Sequence, residues 1–352
     1  MEQSWYVRKY EDGDEAQIID LYSLVFKMSE NMNYWTWKYK ENPVGFKIYV
    51  AEDKKGRIVG HYGLILAKIK IRNKLITGSQ AVEAMTHPHY QHQGMFVKLG
   101  KEILREAGAE GIPLTYGFPN ELAMPGHRKV GWIEVCNIPI LIKPLNIRNI
   151  LRKYIHHSFL LNVSSYLAGI FLKIFIKDRK MQVKGLSANH VSSFDERADD
   201  FWYKVADDYN LIQVRNREFL NWRYVKNPDK QYNIFVAEKS GNLLGYIVLG
   251  EMVDDDRKGG VVVDILTYLD RGEISDCLIS KAMEYFEAKD VDYVVCLMRK
   301  GNIYYKSLKR HGFITIPKRT RFIVHINSDN FSKSLSGSLD QWFFTWGDSD
   351  YM

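Results

Sequence analysis

The residues with the plainest chemical use lie between Thr86 and Phe96, where the chain reads Thr-His-Pro-His-Tyr-Gln-His-Gln-Gly-Met-Phe. A strand-like run, Ala81 to Met85, leads into them. A helical run, Met95 to Ala107, leads out, with Phe96, Leu99, Ile103 and Leu104 on one face. Gln91, two residues and then Gly94 at such a junction present successive backbone N–H groups to one point. The helix dipole favours negative charge at that same point, and a pyrophosphate meets both conditions. His87, His89 and His92 read as solvated loop histidines, because Pro88 and the loop preset no metal-ligand directions.

The flanking segments must hold this loop in place. Trp5 to Tyr10 reads as an edge strand, and Ala16 to Phe26 as a helix with Ile18, Ile19, Leu21, Tyr22 and Val25 at helical spacing. A second helix carries Trp35, Trp37 and Tyr39 and stops before Asn42-Pro43, since a residue preceding proline is pushed out of the helical region. Phe46 to Ala51, Ile58 to Ile71 and Leu75 to Met85 form an antiparallel meander with a turn at Lys55-Gly56. Beyond the loop and its helix come a strand (Ile112 to Phe118), a helix ending at Gly131, and a strand (Ile138 to Ile142) that closes the sheet. The expected class is α/β, a mixed and mostly antiparallel sheet with helices on both faces.

The pattern then recurs. Trp37-Lys38-Tyr39, Asn42-Pro43, Val50-Ala51-Glu52 and Gly60 reappear as Trp222-Arg223-Tyr224, Asn227-Pro228, Val236-Ala237-Glu238 and Gly245, at an offset of 185 or 186. Val82 to Thr86 matches Val263 to Thr267, and Gly131-Trp132 matches Gly312-Phe313, both at 181. Such a register implies two copies of one domain. The expected division is a first domain at 1–145, a helical connector at 146–185, a second domain at 186–326 and an aromatic, acidic tail at 327–352. After Thr267 the second copy places Asp270 and Glu273 where an anion would sit, and acids there repel one. The anion site is therefore assigned to the first copy alone.

Length and composition agree with two folded units: 352 residues, 46% hydrophobic and 26% charged. The net charge of +7 comes from scattered Lys and Arg without a basic tract, which argues against nucleic acid as a partner. Three widely spaced cysteines make neither a disulfide framework nor a metal knuckle. The polar start has no signal-peptide core, so a cytoplasmic protein is expected. Leu151 to Ile176 is apolar but broken by His156, His157, Asn162 and Lys173, and reads as connector helices; peripheral membrane contact is the minor alternative. Trp342, Phe343, Phe344 and Trp346 are expected to dock on a domain.

The Gln91-x-x-Gly94 loop resembles the signature of the GNAT N-acetyltransferase superfamily. The resemblance runs from Trp5 to Lys143 and includes Asn120, Ala123 and the Gly131-Trp132 pair at the family's offsets. It implies acetyl-CoA as co-substrate, held by Met85, Thr86, Gln91, His92, Gln93, Gly94, Met95, Phe96 and Asn120. Phe96 stands where the family has a small residue, so its ring must point aside. Glu83, the carboxylate on the strand before the loop, stands where the family often has a general base. His127 replaces the usual tyrosine and would protonate the departing thiolate, with Arg128 and Lys129 lowering its pKa. Trp37 is a candidate acceptor contact.

The implied function is acetyl transfer to a primary amine of a small molecule, with an amino sugar or nucleotide sugar among the acceptors. A Fem-type aminoacyl-tRNA-dependent transferase is one alternative, disfavoured by the intact loop. A non-enzymatic interaction module with a degenerate site is the other.

Overall fold

A computed structural model describes residues 4–152, 185–254, 256–328 and 339–350, together with Ser164 and Phe331. Most of the expected connector, and with it the question of membrane contact there, lies outside the described residues. Among those described, no helix is long and apolar enough to cross a membrane.

The first lobe begins with β1 (Trp5–Lys9), helix α1 (Glu15–Phe26) and helix α2 (Met32–Lys38). The Asn31 side chain caps α2 by accepting from the Tyr34 N–H. Strands β2 (Phe46–Asp53), β3 (Ile58–Ile71) and β4 (Lys74–Thr86) form the antiparallel meander, and α3 (Met95–Ala109) crosses back to β5 (Leu114–Gly117). Helix α4 (Met124–Val130) and β6 (Ile133–Pro144) follow. Leu99, Ile103, Leu104 and Ala107 of α3 pack on Tyr49, Val59, Tyr62 and Leu64, covering one face of the sheet. Ile18, Leu21, Trp35 and Tyr39 of the α1–α2 layer cover the other.

The second lobe has the strands β7 (Ser187–Val191), β8 (Leu211–Gln213), β9 (Asn233–Lys239), β10 (Asn242–Asp254), β11 (Arg257–Thr267), β12 (Tyr293–Leu297) and β13 (Ile314–Ile326). Helices Gly272–Ala288 and Ile303–Arg310 precede β12 and β13, as α3 and α4 precede β5 and β6. Among the described residues 13 strands join one mixed sheet, in which β4–β5 and β11–β12 are the parallel strand pairs and β8 lies off the main path, paired with β3.

The expectation of a separate sheet in each lobe, the first closed by Ile138 to Ile142, is corrected here. The path runs β1-β2-β3-β4-β5-β13-β6-β12-β11-β10-β9-β7. Strand β6 leaves its own lobe to pair with β12, while β13 of the second lobe pairs with β5. The two exchanged strands pair with each other at the centre. Pairing every edge there buries backbone groups that two separate sheets would leave open. Alternation patterns show which face a strand buries, not which lobe it joins.

The tail crosses this junction. Trp342, Phe343 and Phe344 are buried, and the Phe343 N–H donates to the Leu211 carbonyl at 2.9 Å.

Candidate active site

The β4–β5 ladder is short. Ser79 pairs with Thr115 and Gln80 with Tyr116, and there the pairing ends. From Gln80 onward the two strands diverge, leaving the β4 edge from Ala81 to Thr86 without a strand partner on that side. A bulge marks the same place, since Glu83 and Ala84 together oppose Tyr62. Glu83 sits in the left-handed region at φ +50°, a conformation that costs a non-glycine residue on the order of 1 kcal/mol.

At the top of the opening lies the Gln91–Gly94 loop. His92 and Gly94 both have positive φ, +62° and +78°, so the chain turns sharply into α3. Among the described residues the N–H groups of Gly94, Met95, Phe96 and Val97 have no protein acceptor. They form the unsatisfied end of a 15-residue helix without an acid in its first turn. The Trp5 indole donates to the Gln93 carboxamide at 3.0 Å, with the Lys98 ammonium 5.3 Å over its ring. Phe96 does point aside: it lies against Gly126 of α4, where an added Cβ would come within 2.6 Å of the ring. The bulk that the family's small residue would avoid is thus taken up by a glycine on the neighbouring helix.

The matching place in the second lobe is filled. Tyr304, from the helix Ile303–Arg310, receives the Thr267 N–H on its hydroxyl at 2.7 Å and donates to the Thr267 carbonyl at 3.0 Å. At the end of β4 the corresponding residue of α4's approach is Ala123, whose methyl reaches no such group.

Behind the bulge lies a buried polar cluster. The Glu83 carboxylate accepts from the Lys38 ammonium and, at 2.6 Å, from the Tyr39 hydroxyl. Burial opposes its ionisation, but Lys38 overcomes this and holds the carboxyl below its usual range. His61 bonds the Glu83 backbone carbonyl through Nδ1 at 2.7 Å. A carbonyl only accepts, so Nδ1 carries the proton, and the other ring nitrogen, Nε2, is buried without a partner. Burial keeps this imidazole neutral. Glu30, from the loop between α1 and α2, completes the cluster. Gln80 donates to Asp350 of the tail at 3.3 Å, and both line a cavity of about 70 Å³ with Tyr34 and Lys38.

The structure bears on three of the sequence-based expectations. His127, expected to protonate the departing thiolate with its pKa lowered by Arg128 and Lys129, has other neighbours. It is buried among Phe96, Trp132 and Tyr62, with ring centroids 5.0, 5.0 and 6.4 Å away, and its Nδ1 has no partner. Burial, rather than Arg128 or Lys129, lowers its pKa to about 4. It carries no charge at neutral pH and acts as packing between α3 and α4. Trp37, the candidate acceptor contact, is buried at the lobe junction and lines the cavity with Tyr34 and Lys38. Its ring stacks on Trp222 at 5.2 Å, and each indole N–H donates to the other's backbone carbonyl, at 2.8 and 3.0 Å. The pair joins the two lobes. Glu83, expected as a free base, is bonded by two donors and is a fixed anion. Asn120 is exposed, caps the Ala123 N–H at 2.9 Å and lines a groove of about 610 Å³ at the lobe junction. Met85 is buried, while Thr86, Gln91, His92, Gln93 and Gly94 lie at the mouth of the opening.

The model of the acetyltransferase (GNAT) domain family matches residues 6–135. Over those residues the first lobe is similar to a GNAT acetyltransferase domain. A GCN5-related N-acetyltransferase from Anabaena variabilis superposes with a TM-score of 0.64 at 12% identity, covering 92% of this chain and 73% of that one. The N-myristoyltransferase of Saccharomyces cerevisiae with bound myristoyl-CoA gives 0.57 at 12%, over 93% and 83%. A GCN5-related N-acetyltransferase from Kribbella flavida gives 0.60 at 8%, over 92% and 71%. At these identities the likeness is one of fold. No curated protein sequence matches significantly.

Within the first lobe, the sequence pointed to the loop and Glu83 but not to Lys38, His61 and Glu30. Lys38 had a signal, since the cation between two aromatics recurs as Arg223. In the second lobe that cation turns instead to the Gly347 and Ser349 carbonyls, and Arg215 pairs with Asp264. Glu30 and His61 had none: a lone Glu in a loop and a lone His in a strand are ordinary residues.

Proposed function

We propose that the chain is an acyl-CoA-dependent N-acyltransferase that moves an acetyl group to a primary amine of a small molecule, an amino sugar or nucleotide sugar among them. The observation that carries this reading is the difference between the two openings. In the first lobe the diverging strands are unplugged beneath a helix end with free amides. In the second, Tyr304 occupies the gap. We read the lobes as two copies of one domain. The spacing that aligns Gly131 with Gly312 also aligns Ala123 with Tyr304, so one substitution separates an open copy from a closed one.

The residues present suit the nucleotide thioester. The amides of Gly94 to Val97 would face the pyrophosphate, and the unpaired β4 edge from Ala81 to Thr86 would face the pantetheine and the thioester carbonyl. At the Gln80–Tyr116 pair, where the gap begins, Tyr116 clusters with Phe118, Phe322 and Phe344, with ring centroids 4.0–6.1 Å apart, and we take this cluster as the floor. This floor favours a short acyl group over a long chain. In the transfer, the amine nitrogen bonds to the carbonyl carbon and the C–S bond breaks. One proton of the ammonium leaves to the buried cluster, and a second goes to the thiolate.

The intact loop supports acyl-CoA over aminoacyl-tRNA as donor. The test is release of free thiol from acetyl-CoA in the presence of a panel of primary amines, with mass spectrometry of the amine products. Thiol release that depends on amine supports the proposal. Failure of every amine, together with transfer from aminoacyl-tRNA, would overturn it.

A further inference from the structure

Glu30 is 8% exposed, and among the described residues neither of its buried carboxyl oxygens receives a hydrogen bond, the one bond open to it being that of the protonated acid to Glu83. Among the described residues no other carboxyl has both oxygens in that state. Facing it are Glu83 of β4, Lys38 of α2 and Asp229 of the second lobe, with Tyr22 of α1 and Tyr34 of α2 at the edge of the same cluster. Lys38 is committed to Glu83, and Asp229 accepts from the Asn31 carboxamide. Among the described residues the cation that acts on Glu30 is thus Lys38, which is bonded to Glu83 rather than to Glu30. A buried carboxylate without donors destabilises a fold, so the ionised form of this side chain is left incomplete by the protein. A cationic ligand would complete it.

We propose that Glu30 receives the ammonium group of the acceptor and takes its first proton, so that the acceptor end of the site lies beneath the loop between α1 and α2. This rests on the acyl-transfer reading above and names the base that it needs. Glu83 is poorly suited, because a carboxylate held by Lys38 and Tyr39 gives up much of its affinity for a proton. Glu30 is poised the other way: burial first, and the Glu83 charge second, raise its pKa to about 8. A base titrating near the working pH is the efficient one. When the ammonium enters, the acid proton of Glu30 leaves to water and the carboxylate pairs with the cation. The ammonium then passes one proton to Glu30, and the neutral amine attacks.

Entry needs only the loop. Met28 and Ser29 are exposed, and no backbone hydrogen bond fixes residues 28–30 between the Lys27–Ser23 bond and the Trp35–Asn31 bond. Displacing this segment uncovers Glu30 without disturbing the sheet.

The test uses the full chain with ¹³C-carboxyl-labelled glutamate, followed by NMR from pH 5 to 10, with CoA bound. Glu30→Gln identifies the resonance and is checked for an unchanged CoA affinity. The expected result is a midpoint near pH 8 that ethylammonium chloride lowers by a unit or more and that ethanol leaves in place. A Glu30 resonance that titrates below pH 6, or a midpoint indifferent to ethylammonium, would overturn the proposal. Absence of CoA binding would instead sink the transfer reading, while the carboxyl titration stays readable without it.

Discussion

The inward Glu30, whose ionised form has no donor, carries a stability cost that one substitution should expose. Its pKa rises from 4.5 to about 8 in the folded protein. Between those values the folded chain holds a proton that the unfolded chain has lost, so stability must fall as pH rises through the window and level off above it. At about 1.4 kcal/mol per unit, the whole interval corresponds to roughly 5 kcal/mol, and the part from pH 6 to 8 to roughly 2–3 kcal/mol. That is a large share of the 5–15 kcal/mol typical of a domain. Glu30→Gln keeps the shape of the protonated acid and removes the ionisation. The assay is urea unfolding of both proteins at pH 6, 7, 8 and 9. Wild type is expected to lose about 2–3 kcal/mol relative to the variant between pH 6 and 8, with no further divergence at pH 9. Lys230, whose pKa is lowered to about 8 by burial first and Arg223 next, is common to both proteins and drops out of the comparison. Parallel stability curves would refute the reasoning, because they would mean that Glu30 is either solvated or paired.

Other substitutions probe the remaining parts. Ala123→Tyr should place a phenol in the first opening, as Tyr304 does in the second, and abolish CoA binding while leaving the circular dichroism spectrum intact; retained affinity would show that the gap is not the thioester site. Glu83→Gln leaves Lys38 buried without its partner and should destabilise the protein by about 3–5 kcal/mol, measured by denaturant unfolding at pH 7; a loss below about 1 kcal/mol would contradict the fixed-anion reading. His127 has a folded pKa of about 4 against 6.5, so wild type loses stability as pH falls from about 6.5 to 4, by roughly 3 kcal/mol. His127→Phe should remove that acid sensitivity and keep amine-dependent thiol release within about tenfold of wild type, whereas loss of the 10²–10⁴-fold expected of a general acid would restore His127 to the chemistry.

The parts of this site that were legible in the sequence are those written in local spacing. Gln91-x-x-Gly94 marks a turn into a helix because glycine must take positive φ there, and the apolar period of α3 says which face it buries. The repeat of Trp37-Lys38-Tyr39 as Trp222-Arg223-Tyr224 was visible as well, but its meaning was not. Both tryptophans meet at the lobe junction, a contact between residues 185 apart that no local pattern announces. The exchange of β6 and β13 was illegible for the same reason: an alternating strand fits either neighbour, and only the completed sheet decides. The cause of the lowered His127 pKa was misattributed because its sequence neighbours are charged, whereas its spatial neighbours are Phe96, Trp132 and Tyr62. Glu30 could not be singled out at all. Its significance is the absence of a partner, which only a three-dimensional surrounding reveals.

The central claim, one acyl-CoA site formed by the first lobe alone, is tested most directly by titration calorimetry of the full chain with CoA. The predicted result is a single site per chain that Gly94→Glu abolishes, because a carboxylate at the start of α3 repels the pyrophosphate, and that Glu273→Gln in the second lobe leaves unchanged. Gly94 has open space around its Cβ position but a φ of +78°, so the charge-neutral Gly94→Gln serves as the control for backbone strain and should bind more tightly than Gly94→Glu. Two equivalent sites in wild type, or one that survives Gly94→Glu, would contradict the account.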